Sequence, residues 1–268
     1  MAGLRDNPSE RPPHTSVQPN THDVEFDLSL VVPTYNERSG IAELAAAVFE
    51  AFRSAGIAGE LIVVDDNSPD GTGAVADRLS RQYPLRVVHR PRKLGLGSAV
   101  MSGFRVASSP VLGAMDADLS HPPELLPRLL TLMRDLQVDA VVGSRYIPGG
   151  TAHNWPIRRH AMSRLGCLLA RPLTPVRDAT SGVFLIRREV ANAASVRAGG
   201  FKICLELLLR GQVRSVAEAP YDFVDRTTGS SKMTMREAVH YFKQLLHLYA
   251  LKLRGGCPRP RYVRVPRR

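Results

Sequence analysis

Residues 60–82 read ELIVVDDNSPDGTGAVADRLSRQ, and this stretch decides the fold. Residues 60–64 form an apolar run behind Glu60, rich in β-branched side chains, which marks a strand buried on both faces. Asp65 to Gly71 is a polar turn. From Thr72 onward, Val75, Ala76 and Leu79 recur at helical spacing, which predicts a helix over 72–82. Strand, polar turn and helix make up the unit of a parallel sheet covered on both faces.

The unit recurs to either side. Strands are predicted at 28–33 (LSLVVP), 85–89, 111–115 and 139–143 (DAVVG), and helices at 41–52, 98–107 and 122–136. Pro122 and Pro123 fall in the first turn of the last helix, where proline is tolerated. Beyond residue 147 the pattern loosens. It predicts helices at 158–170 and 201–210, a short strand at 184–186 and an edge strand at 221–224. The strongest helical signal covers 234–253, where Met235, Ala238, Val239, Phe242, Leu245, Leu246, Tyr249 and Leu253 form a wide apolar stripe. The chain therefore reads as α/β, a three-layer αβα sandwich around a mostly parallel central sheet. Residues 1–26 are polar and rich in proline, serine and threonine, and are expected to be a disordered tail. The folded domain is expected over 27–233, an amphipathic helix over 234–254 and a basic tail over 255–268.

The 268 residues carry a net charge of +11, and 44% of them are hydrophobic. That apolar share supports an ordinary globular core. No stretch approaches the ~20 apolar residues that span a bilayer, and no apolar segment follows a basic start as in a signal peptide. The three cysteines, Cys167, Cys204 and Cys257, are scattered, which fits neither a disulfide framework nor a zinc site and suits a reducing compartment. The basic excess gathers at the C-terminus, where Lys252, Arg254, Arg259, Arg261, Arg264, Arg267 and Arg268 meet no acid. This balance points to a polyanionic partner: nucleic acid, anionic lipid or a phosphorylated substrate.

In open α/β sheets, ligands bind beyond the carboxyl ends of the strands. Polar clusters fall there: Thr34–Glu37, Asp65–Asn67, Asp116–Asp118 and Ser144–Tyr146. Asp116 and Asp118, one residue apart in a turn, can aim two hard oxygen donors at one Mg2+ or Mn2+, with phosphate oxygens completing the shell. A lone pair of this kind is usually a solvated strand end. Here Asp65 and Asp66 close a neighbouring strand on the same rim, and such a concentration of acids is costly unless a cation balances it. The KLGLG segment at 93–97 lacks the Gly-Lys-Ser/Thr ending of a phosphate loop and reads as a place of close backbone approach. Arg226, Gly229, Ser230, Ser231 and Lys232 combine cations and hydroxyls around a glycine turn. They read either as an oxyanion clamp or as a solvated turn before the long helix.

The ordered set of motifs resembles the inverting family 2 glycosyltransferases of GT-A fold, and more narrowly the polyprenol-phosphate (dolichol-phosphate) mannose synthases. The matching pieces are VVPTYNE (31–37), VVDDNSPDGT (63–72), GLGSA (95–99), MDADLSHPPE (115–124), GSRY with GG (143–150), RR with SR (158–164), DATSG (178–182) and FVDRTTGSSK (223–232). Together they run in order over about three quarters of the chain. The resemblance implies a GT-A glycosyltransferase domain over 27–233, a GDP-mannose donor and a polyprenyl phosphate acceptor. It implies that Pro33, Tyr35, Glu37, Asp65, Asp66, Gly95, Asp116 and Ala117 line the nucleotide-sugar pocket, and that Asp116 and Asp118 hold the metal and the diphosphate. Arg226 and Lys232, with help from Arg145, would contact phosphate near the reacting centre beside Asp118. Two departures stand out. Ser120 occupies a position where some relatives carry glutamine, and the C-terminal membrane helices of other relatives have no counterpart here. Attachment is then expected at the cytoplasmic face of a membrane, through the 234–254 helix and the basic tail, with room for a separate membrane-anchoring protein.

Other classes remain open at this level. A transferase for glucose or another hexose keeps the same motifs. A non-catalytic sugar-nucleotide-binding protein would be expected to lose the acidic pair, which is intact. A nucleic-acid-binding protein would use the tail, but no helix–turn–helix, zinc or stacking motif accompanies it, and no nucleic-acid partner is expected.

Overall fold

The computed structural model describes residues 25–153, 155–194, 196, 202–224, 235–256 and 258–266. Strand and helix alternate first: β1 (Leu28–Thr34), α1 (Ile41–Ser54), β2 (Gly59–Asp65), α2 (Thr72–Leu79), β3 (Leu85–His89), α3 (Leu96–Val106), β4 (Val111–Ala114), α4 (Leu125–Leu136) and β5 (Ala140–Ser144). The less regular half follows: β6 (Thr151–Ala152), α5 (Ile157–Ala170), β7 (Phe184–Arg187), α6 (Arg188–Ala193), α7 (Ile203–Arg210), β8 (Ser215–Pro220), β9 (Asp222–Phe223), α8 (Met235–Leu253) and β10 (Arg261–Tyr262).

Eight strands form the central sheet in the order β10-β8-β5-β7-β4-β1-β2-β3. All pairings are parallel except those of β7, which runs antiparallel to β4 and to β5. The strand period of two divides the core. Leu28, Leu30 and Val32 of β1 pack with Leu44 and Val48 of α1 and Leu126 and Leu129 of α4 on one face. Val31, between them, packs with Val100 and Phe104 of α3 and Leu207 of α7 on the other. Each fully buried large aliphatic contributes about 1.5–3 kcal/mol. The expected three-layer α/β sandwich is present.

Four expectations need correction. The helix expected from Pro122 begins at Leu125, and the two prolines instead form turns in which their carbonyls accept the N–H groups of Leu125 and Leu126. The helix expected over 72–82 ends at Leu79, where Gln82 and Tyr83 turn back onto the Leu79 carbonyl. The 221–224 edge strand shortens to β9, which pairs with β6 in a separate two-stranded ribbon. The 255–268 segment is not simply a tail. Tyr262 pairs with Val216, and Val263 and Val265 pack against the core, so β10 forms the sheet edge. The expected disorder of 1–26 falls almost wholly outside the described residues.

Candidate active site

A cavity of about 790 Å³ opens at the carboxyl ends of β1, β2, β4 and β5. Asp116, Ala117 and Asp118 form its floor, just past β4. β4 lies between β1 on one side and β7 and β5 on the other. The floor is therefore flanked by Pro33, Tyr35 and Glu37 from β1 and by Arg145 from β5.

Each floor carboxylate is held. Asp118 Oδ1 accepts the Ser120 N–H at 3.1 Å and the Ser120 hydroxyl at 2.5 Å, across Leu119 at φ +57°. Ser120 thus orients a carboxylate, an answer to the departure noted at this position. Asp116 Oδ2 lies 3.3 Å from His121 Nε2. His121 is buried between the rings of Tyr221 and Phe223 at 5.4 and 5.5 Å, and its Nδ1 has no hydrogen-bond partner. Gly182 lies so close that a Cβ there would collide with the Asp116 carboxylate. Only glycine permits this approach of the DATSG loop.

On the nucleotide side, Asp66 Oδ2 accepts the backbone N–H groups of Leu94 and Gly95, each at 3.0 Å, while Oδ1 lies 3.1 Å from Arg90 Nη1. Asp66 therefore shapes the 93–97 loop, and Gly95 takes φ +95° to lead into α3. Lys93 Nζ sits 3.8 Å above the Tyr35 ring, a cation–π contact at the cavity mouth. Glu37 is fixed at its backbone, where its N–H donates to Thr72 Oγ1 at 3.0 Å. Asp65 departs from expectation. It is buried away from the cavity, with Oδ1 on the Ser68 and Thr34 hydroxyls at 2.5 and 3.2 Å and Oδ2 on the Ser68 N–H at 3.1 Å. Of two adjacent acids at a strand end, successive side chains face opposite ways, and only one reaches the ligand side.

On the other wall, Arg145 donates Nε and Nη2 to Asp178, each at 2.7 Å. Burial opposes its charge, but Asp178 outweighs that and raises its pKa. Arg145 offers a bound anion its charge at the wall, with Nε and Nη2 already committed to Asp178 and Thr180. Lys202, just ahead of α7, reaches the same cavity, and burial lowers its pKa against the opposing pull of Asp116. Arg159 stacks 4.1 Å from the Trp155 ring and also lines the cavity. Arg226 and Lys232 lie outside the described residues.

Sequence reasoning left out His121, Trp155, Arg159 and Lys202 as site residues. His121 and Arg159 sit inside quoted motifs, so a signal existed for them. Lys202 stands in an apolar helical run that gives no warning of a site.

The floor fits a hard divalent ion in its chemistry. Asp116 and Asp118 supply carboxylate oxygens, and among the described residues no third His, Cys, Asp or Glu joins them in a cage. The remaining coordination is left for ligand oxygens and water, the habit of Mg2+ and Mn2+ at phosphate sites.

Among the described residues, no helix is long and apolar enough to cross a membrane. The glycosyl transferase family 2 model matches residues 29–194. A dolichol-phosphate mannosyltransferase of Pyrococcus furiosus is 39% identical over 228 residues, which take in 84% of this chain and 63% of that protein, so this chain spans less than two thirds of that relative. The polyprenol monophosphomannose synthase of Mycolicibacterium smegmatis is 40% identical over 248 residues, covering 87% of this chain and 91% of that protein. Among solved structures, a mannosyltransferase of Pyrobaculum calidifontis in complex with GDP-Man and Mn2+ superposes with a TM-score of 0.61 at 19% identity, over 88% of this chain and 67% of that one. At that identity the likeness speaks to the fold alone, and the fold is GT-A. Sheet order, rim chemistry and matched residues agree, and this chain belongs to glycosyl transferase family 2.

Proposed function

We propose that this protein transfers mannose from GDP-mannose to a polyprenyl (dolichyl) phosphate, inverting the anomeric centre to give polyprenyl-phosphate β-mannose and GDP. The observation that carries the reading is the floor formed by Asp116 and Asp118, set between the Tyr35–Glu37–Asp66 side and the cationic side of Arg145, Arg159 and Lys202. A nucleoside diphosphate suits the first side and the floor, and an acceptor phosphate suits the second. The relatives named as dolichol-phosphate mannosyltransferase and polyprenol monophosphomannose synthase support the choice of donor and acceptor.

In this reading Pro33, Tyr35, Glu37, Asp66, Gly95 and Ala117 seat the nucleotide sugar. Asp116 and Asp118 hold Mg2+ or Mn2+, which when bound neutralises charge on the diphosphate. Arg226 and Lys232 contact phosphate, an assignment that rests on the FVDRTTGSSK motif. An acceptor phosphate oxygen attacks the anomeric carbon as the bond to GDP breaks on the opposite face. The acceptor's second pKa is near ~6, so the nucleophile is already an anion at neutral pH and the protein needs no general base.

The acceptor lies in a bilayer surface, and the outer faces of α5 and α8 support peripheral attachment there; this reading puts that surface on the cytoplasmic side. Leu165 and Leu168 of α5 and Phe242, Leu246 and Leu253 of α8 are exposed. Isolated exposed apolar residues are ordinary, but a cluster beside a cavity marks an interaction surface.

The deciding experiment incubates the protein with a polyprenyl phosphate and labelled GDP-mannose or UDP-glucose, then measures label in the lipid extract. Mannose in the lipid supports the reading. Glucose alone transfers the assignment to another hexosyl donor, and no label with bound nucleotide leaves a non-catalytic binder.

A further inference from the structure

Glu218 belongs to β8, a strand that the apolar pattern does not reveal, and none of its surface reaches solvent. It lies opposite Val142 of β5 and does not line the cavity. Oε2 accepts the Arg177 N–H at 2.9 Å and Oε1 the Asp178 N–H at 3.0 Å. Tyr262, paired with Val216 two residues before Glu218, and Ser144, paired with Pro220 two residues after it, bring their hydroxyls to the neighbourhood of this carboxylate. Each carboxylate oxygen thus has its own backbone donor, and two hydroxyls stand near the remaining lone pairs. A buried carboxylate is costly to keep, and full satisfaction is the condition for keeping it.

What it holds lies one step from the reacting centre. The backbone it anchors carries Asp178, whose carboxylate takes Nε and Nη2 of Arg145. The same loop continues through Ser181, whose N–H returns to the Asp178 carbonyl at 3.1 Å, to Gly182 against Asp116. On the far side, Tyr262 is delivered by β10. The Arg261 N–H bonds the Arg214 carbonyl at 2.8 Å, and the Val263 N–H bonds the Val216 carbonyl at 2.9 Å. Burial pushes the Tyr262 hydroxyl up to about 12, so it stays protonated across the working pH range.

We propose that Glu218 is a positioning residue for the acceptor-side wall of the active site, and that the C-terminal strand β10 completes it through Tyr262. The C-terminal segment is then part of the catalytic architecture as well as the sheet edge. The kinetic part of this proposal rests on the transfer reaction proposed above; the structural part does not.

Two variants test it. Glu218→Gln keeps the shape but sets an NH2 against a backbone N–H in either orientation of the amide. Tyr262→Phe removes one hydroxyl and leaves the strand backbone intact. Trp155 is the single tryptophan, and the Arg145 guanidinium lies 5.1 Å from its ring, so its emission and near-UV circular dichroism report that wall without any reaction. Both variants are expected to shift the Trp155 signals and to lower kcat far more than the affinity for GDP with Mn2+. The loss in kcat is roughly 10- to 100-fold for Glu218→Gln, the usual span for groups that orient a site's ligands. It is smaller for Tyr262→Phe. If Glu218→Gln fails to fold, Tyr262→Phe decides. Wild-type Trp155 signals and kcat in the folded variants overturn the proposal. So does GDP affinity that falls in step with kcat, which marks general loosening. If the wild type transfers no mannose while the variants still shift Trp155, the reaction assignment falls and the positioning stands.

Discussion

Arg145 and Asp178 form a two-point ion pair, Nε and Nη2 each 2.7 Å from a carboxylate oxygen, with the Asp178 side chain wholly removed from solvent. Asp178 also accepts the Arg145 backbone N–H at 3.0 Å, so one carboxylate fixes both ends of the arginine. Removing one member of a buried pair strands the other charge, at about 3–5 kcal/mol. Asp178→Asn and Arg145→Met should each lower the unfolding free energy in urea by that order. The double variant Arg145→Met/Asp178→Leu should recover part of the stability, because apolar side chains leave no uncompensated charge although the Arg145 N–H loses its acceptor. Its kcat should stay low, because the wall has lost its cation. A double variant that regains both stability and rate would remove Arg145 from the site.

The acidic floor makes a second prediction. Asp118→Asn should cut turnover by several orders of magnitude, since a neutral amide is a weak ligand for a hard dication. EDTA should do the same to the wild type, with Mn2+ or Mg2+ restoring it. Ser120→Ala should be mild by comparison. It removes the Ser120 hydroxyl's hydrogen bond to Asp118 Oδ1, worth about 1 kcal/mol or roughly five-fold in kcat. Steady-state kinetics over a metal titration separates the cases, because Ser120→Ala should need more metal for half-activation.

The cysteines give a prediction in pH. Burial pushes the Cys167 thiol up to about 11, with Asp178 adding to the effect, and burial also raises Cys204. A raised thiol pKa keeps the unreactive protonated form below that pH. Iodoacetamide at pH 8 should therefore spare Cys167 and Cys204 in the native protein and label both in urea, as read by mass spectrometry. Native labelling of Cys167, which contacts Asp178 and Thr180, would show that the wall opens.

The fold was legible where the core is regular. The runs that became β1, β2, β4 and β5 are buried almost throughout and therefore read as near-continuous apolar segments, while β3 is the half-exposed edge strand. β8 was hidden because SVAEAP carries Glu218, a charge that is tolerated inside through the Arg177 and Asp178 N–H groups from elsewhere in the chain. β10 was hidden because two residues between prolines and arginines have no period, and their strand character comes entirely from β8 beside them. At the site, Asp66, Asp116 and Asp118 were legible as acids at strand ends. Asp65 looked equivalent in sequence, and only the pleat separates it from Asp66. Lys202 was not legible, because what makes it a site residue is the approach of α7 to the β4 end, a tertiary event.

Attachment to a membrane through the basic C-terminal segment has to be separated from the structural role of β10. Truncation at residue 255 would remove β10 along with the basic charge, so a loss of binding would not distinguish the two. Point substitutions avoid this. Arg261 and Arg264 are exposed, and Arg261→Gln with Arg264→Gln leaves the backbone pairing to β8 in place. Each basic residue near an anionic surface contributes about 1 kcal/mol, screened by salt. The double variant should bind vesicles containing anionic lipid more weakly, with a shallower salt dependence, while its unfolding midpoint stays at the wild-type value. Phe242→Ser with Leu246→Ser should instead weaken binding to neutral vesicles as well, since both side chains are exposed on α8 and act through apolar burial. Sedimentation with the two vesicle types separates the contributions. If neither pair alters binding, the α8 face and the basic edge are not the attachment surface.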